Sequence, residues 1–149
     1  VQHAYALLAI KQHEPERRTF SGIASTPTPD RSGDIFDALG AVFHNPLPLL
    51  LHHDKSRPVG RVTLHQPTKD GIGFSAEIPS IAEPGALKDR VDEAWQSIKA
   101  GLLTGVSIGY RILDGGIERR KGSDGLLIKS SEICELSLVT VPANVEATI

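Results

Sequence analysis

Only one stretch of this chain, residues 84–100, carries a helical period; glycine and proline cut the rest into short runs of β-branched and aliphatic residues. A chain patterned this way cannot cover a sheet with alternating helices, so strands must enclose most of its core. In the helical stretch, Leu87, Val91, Ala94, Trp95 and Ile98 recur at spacings of three and four and define a core face. Lys88, Asp89, Asp92, Glu93 and Lys99 define the solvated face, Pro84 suits a first helical position and Gly101 a stop. Strands are predicted over 18–25, 46–51, 59–64, 73–78, 104–113, 126–130 and 136–141. The turn Pro67-Thr68-Lys69-Asp70-Gly71 makes the third and fourth of these an antiparallel hairpin. Asp30-Arg31-Ser32-Gly33-Asp34 is turn chemistry, and His52-His53-Asp54-Lys55-Ser56 reads as a polar loop closing a buried strand. About seven strands and one major helix predict a mainly β (α+β) fold, a closed or partly open barrel.

With 149 residues, of which 40% are hydrophobic, one compact core is expected, hence one domain over 1–149. Sixteen Lys and Arg against 18 Asp and Glu give a net charge of -2, which argues against nucleic acid as a partner. No apolar stretch approaches the roughly 18 residues of a membrane span, and no signal-peptide pattern opens the chain, so a protein without a membrane partner is expected. The single cysteine, Cys134, lies in an apolar run and is read as an inert buried thiol in a reducing, cytosolic setting. Val1 at the start and the absence of methionine predict trimmed or processed ends.

Ser107 lies mid-strand between Gly105 and Gly109, with Val106, Ile108 and Tyr110 on the opposite face. Two missing side chains would leave a groove over the hydroxyl for a substrate backbone; the alternative is a small-residue face packed under the helix. His53, at the edge of an apolar run, suits a general base near neutral pH, and activity is expected to rise as the imidazole deprotonates. A serine hydroxyl needs such a base within hydrogen-bond reach. The rival readings of His52-His53-Asp54 are a polar loop and a metal-dependent hydrolase site. Adjacent histidines on an extended chain point apart, so they cannot easily share one ion. Glu135 puts a charge into a stretch otherwise fit for burial and could orient the imidazole; it could also face outward. Glu132 is the second candidate for that task.

Four blocks occur in order: Asp30-Arg31-Ser32-Gly33-Asp34-Ile35 followed by Gly40-Ala41, Leu51-His52-His53-Asp54-Lys55-Ser56-Arg57-Pro58-Val59-Gly60-Arg61-Val62, Gly105-Val106-Ser107-Ile108-Gly109-Tyr110, and Glu135-Leu136-Ser137-Leu138-Val139-Thr140-Val141-Pro142-Ala143-Asn144. Together they resemble the prohead proteases of tailed bacteriophages, capsid-maturation serine peptidases that resemble herpesvirus assemblin in fold. By this resemblance Ser107 is the nucleophile, His53 the base and Glu135 the third member. Assemblin relatives use a histidine there, and this chain has none after His65. The resemblance also implies oxyanion donors at Ala143 or Asn144, no cofactor, and cleavage of a capsid or scaffold protein and of the protease itself. It implies action inside the assembling prohead in the host cytoplasm, by a homodimer or larger assembly. A non-catalytic capsid-assembly or scaffold-binding module of the same fold is the other reading.

Overall fold

The structure, a computed structural model, describes residues 2–7, 13–14 and 17–141. Its strands are β1 (Gln2–Leu7), β2 (His13–Glu14), β3 (Thr19–Ser25), β4 (Ile35–Phe36), β5 (Ala41–Val42), β6 (Leu47–Leu51), β7 (Asp54–Leu64) and β8 (Ile72–Glu77). After the helix α1 (Ala86–Lys99) follow β9 (Gly105–Ile112), β10 (Ile117–Arg119), β11 (Leu126–Ile128) and β12 (Ser131–Val139). A nine-stranded sheet runs in the order β1-β9-β12-β6-β7-β8-β3-β2, with β5 also paired to β12. A small sheet, β10-β11-β4, stands beside it. β3 also lies against β1 and β9, from the far end of the hydrogen-bonded order. The large sheet is therefore curled into a half-barrel, so the mainly β expectation holds and closure is partial.

Alternation builds the core. In β8, Ile72, Phe74 and Ala76 are buried while Ser75 and Glu77 are exposed, and β8 pairs antiparallel with β7 as the hairpin reading requires. Of the helix residues, Val91, Ala94, Trp95 and Ile98 are buried, and Trp95 meets Phe20 of β3 with ring centroids 6.5 Å apart. Leu87 is 45% exposed, against expectation; it sits in the first turn of the helix, and the buried face begins at Val91. Pro84 is likewise not the first helical residue: Gly85, at φ 150, is the N-cap. Gly101 ends the helix at φ 74, a conformation glycine adopts without strain.

Seven strands have five residues or more, but they are not the seven read from sequence. The expected strand over 126–130 is the three-residue β11 of the small sheet, and β1 takes its place in the large one. Cys134 is half-buried rather than buried, because it is the extra residue of a β-bulge where the β12–β9 register shifts between Ile133 and Glu135.

Tyr110 of β9 is 3% exposed and meets Phe36 edge-on at 5.0 Å. Burial, with smaller contributions from Asp34 and Asp30, pushes its phenol up to about 12 from the ordinary 10.0. Between those values the unfolded chain has released a proton that the folded chain still holds, so stability falls as pH rises through this window. A Tyr110→Phe variant should lose this alkaline decline, which urea midpoints measured from pH 9 to 11.5 would show. An unchanged slope would remove Tyr110 as its source.

Candidate active site

Three strands and one turn assemble the site. β9 and β12 run antiparallel with Ser107 opposite Ser137 and Gly109 opposite Glu135, and β6 pairs parallel to β12 on its other side. β6 leads straight into a two-residue turn, His52-His53, because Leu51 pairs with Asp54. The expected polar loop over 52–56 is therefore a tight hairpin with β7 already begun. Both turn residues have positive φ, 50 and 60, the pattern of a type I′ turn. Histidine enters this region more readily than most side chains, but each such residue costs roughly 1–3 kcal/mol. Burial of Leu49, Leu50 and Leu51 in the strand before it, roughly 1.5–3 kcal/mol per side chain, outweighs that cost. Two cross-strand bonds fix the turn: the His52 N–H donates to the Leu138 carbonyl and the His53 N–H to Ser137 Oγ, each at 3.0 Å.

This turn aims the imidazole of His53 across β12 toward β9. Its Nε2 lies 2.7 Å from Ser107 Oγ, and its Nδ1 makes a short contact with Glu135 Oε1. A carboxylate can only accept, so Nδ1 carries the proton and the Nε2 lone pair faces the serine hydroxyl. The remaining oxygen, Glu135 Oε2, accepts from Ser137 Oγ at 2.7 Å. The carboxylate is thus buried, 6% exposed, with each oxygen bonded. Such an arrangement can withdraw a proton from a hydroxyl and stabilise the imidazolium that forms.

The bulge decides which way Glu135 points. In an unbroken strand Glu135 would share the face of Ile133, which is buried against the core. The extra residue, Cys134, reverses the alternation and turns the carboxylate toward Ser107. Glu132, the second candidate, lies before the bulge and pairs with Arg111 Nε at 2.9 Å, away from His53. Gly109 also serves the carboxylate: an added Cβ would stand 2.1 Å from Glu135 Oε1 and 2.7 Å from its Cδ. The groove expected over Gly109 is therefore filled by Glu135, and Ser107 itself is 0% exposed, not open. Gly105 lies at the start of β9, opposite Val139. Ala143 and Asn144 lie outside the described residues.

His52 takes no part in this cluster. Its side chain lines a separate cavity with Leu51, Ala94 and Leu103, and Asp54 accepts from the N–H and Oγ of Ser56. Those two hydrogen bonds, the side-chain one foremost, hold the Asp54 carboxyl below its ordinary value. No group of three His, Cys, Asp or Glu that could hold a metal ion exists among the described residues. A cavity of about 480 Å³, lined by Thr19, Ser21, Arg61, Thr63 and Ser75, lies on β3, β7 and β8 and includes none of the site residues.

Residues 36–149 match the family model described as caudovirus prohead serine protease. The chain belongs to this prohead protease family. It is 49% identical over 146 residues to a capsid polyprotein of Pseudomonas phage PAJU2, covering 98% of this chain and 22% of that one. It is 33% identical over 135 residues to the prohead protease of Escherichia phage T5, covering 85% of this chain and 59% of the relative. The chain thus spans less than two thirds of either relative. No solved structure matches it. In the run Glu135-Leu136-Ser137, the sequence reading leaves the third residue's hydroxyl out of the site. A serine two residues from a buried glutamate on one strand face was the available signal.

Proposed function

We propose that this chain is a serine endopeptidase of phage capsid maturation, with Ser107 as nucleophile, His53 as general base and Glu135 as the third member. The observation that carries this reading is the unbroken hydrogen-bonded series from Ser107 through His53 to Glu135. Ser107 Oγ attacks the scissile carbonyl as Nε2 takes its proton, and Glu135 stabilises the imidazolium. The proton passes to the leaving amine, and water repeats the sequence on the acyl-enzyme. The amides of Ala143 or Asn144 would receive the oxyanion, and Gly105 would leave room for the peptide beside Ser107.

Family membership and the likeness to a capsid polyprotein support a capsid or scaffold protein as substrate inside the assembling prohead. Self-cleavage and a host-cytoplasm setting belong to the same proposal. The half-barrel with one helix is read as assemblin-like, and work as a homodimer or larger assembly is part of the same proposal. The test is incubation of the protein with major capsid protein that carries its scaffold segment. Fragments should appear, a chelator should leave them unchanged, and a fluorophosphonate should stop them while labelling Ser107. Loss with chelator and indifference to the fluorophosphonate would replace this reading with a metal-dependent hydrolase. Intact substrate throughout would leave a non-catalytic assembly module.

A further inference from the structure

Ser137 makes two hydrogen bonds, and each ends on a different member of the proposed triad. Its hydroxyl donates to Glu135 Oε2 at 2.7 Å and accepts the backbone N–H of His53 at 3.0 Å. One oxygen therefore stands between the carboxylate that must meet Nδ1 and the backbone of the turn that carries the imidazole. Ser137 is 0% exposed and lies opposite Ser107 in the register, so bulk water does not reach either bond. The need for such a tie is local. His53 sits at φ 60, and a flexible glutamate side chain approaches it from the neighbouring strand. Without the hydroxyl, Oε2 loses the bond from Ser137 and the His53 N–H loses its bond to Ser137 Oγ, both at a buried place.

We infer that Ser137 is a positioning residue of the reaction: it locks the Glu135 carboxylate and the His53 turn in mutual register, and acts on Ser107 only through them. This rests on the peptidase reading above. Strand spacing explains why a serine suffices. Glu135 and Ser137 share one face of β12 beyond the bulge, so a short side chain reaches back to the carboxylate and across to the turn. A hydroxyl is also both donor and acceptor, which the two bonds require together.

The experiment follows the rate at which a fluorophosphonate acylates Ser107 in the full chain, with melting temperature recorded for every variant. Ser137→Ala should acylate about 10²-fold more slowly while remaining folded, the size of effect expected for loss of a group that orients catalytic partners. In a Glu135→Ala background the same change should cost less than about fivefold, because the carboxylate it held is gone. Ser137→Thr, which keeps the hydroxyl, should recover most of the rate. If Ser137→Ala does not fold, Ser137→Cys keeps the volume with a much weaker donor and acceptor, and should show the same loss. An equal factor in both backgrounds, or a wild-type rate in a folded Ala or Cys variant, would overturn the inference. No acylation of the wild-type protein would instead strike the peptidase reading, so the two failures are distinguishable.

Discussion

Ser107→Ala should lower cleavage of a capsid or scaffold substrate by roughly 10⁴- to 10⁶-fold and abolish labelling by a fluorophosphonate, with the fold intact. The size follows from what remains. Once Oγ is gone, the imidazole of His53 and the carboxylate of Glu135 can still face each other, but nothing bonds to the scissile carbonyl. Stability should change little, since Ser107 lies between Gly105 and Gly109 on its face of β9, and its hydrogen bond to His53 is worth about 0.5–1.5 kcal/mol. Digestion assays on both proteins, with unfolding curves alongside, check this. Cleavage by a folded Ser107→Ala variant at more than a hundredth of the wild-type rate would remove Ser107 as nucleophile.

The parts of the molecule that were legible in sequence are those set by repeating local pattern. The leucine run gave β6, the spacing of Val91, Ala94, Trp95 and Ile98 gave α1, and alternation gave β8. β1 escaped because Gln2-His3-Ala4-Tyr5-Ala6-Leu7 has no β-branched residue, and its pairing with β9 comes from the other end of the chain. The strands β4, β5 and β10 are too short for any period to register.

In the site, chemistry was legible and geometry was not. Ser107, His53 and Glu135 stood out as residue types in unusual settings, but the bonds that join them span 54 and 82 positions. Two single-residue events decide whether they meet: positive φ at His53, without the glycine that usually announces it, and the bulge at Cys134, which alters register without a mark in composition. Gly109 was misread for the same reason. A missing side chain shows that something comes close, and cannot show whether the visitor is a substrate or a neighbour's carboxylate.

That visitor makes Gly109→Ala the second large effect. The added methyl would stand 2.1 Å from Oε1, 2.7 Å from Cδ and 2.8 Å from Cγ of Glu135, well inside any tolerable contact. β9 and β12 are paired on both sides, so the backbones cannot separate and the glutamate must leave its rotamer. Cleavage should then fall about 10²- to 10⁴-fold, approaching the loss caused by removing an imidazole's orienting carboxylate. Folding should lose about 1–3 kcal/mol, because a carboxylate parted from its bonds must be rehydrated or left buried. Gly60→Ala makes the contrast: there the methyl would stand 2.0 Å from the backbone oxygen of Glu77, which no rotamer change relieves, so fold and activity should fail together. The decisive comparison is Gly109→Ala in a Glu135→Ala background. With no carboxylate to displace, the methyl enters vacated space and the rate should stay within about threefold of Glu135→Ala alone. A further hundredfold drop there would mean that Gly109 acts on the substrate path and not through Glu135.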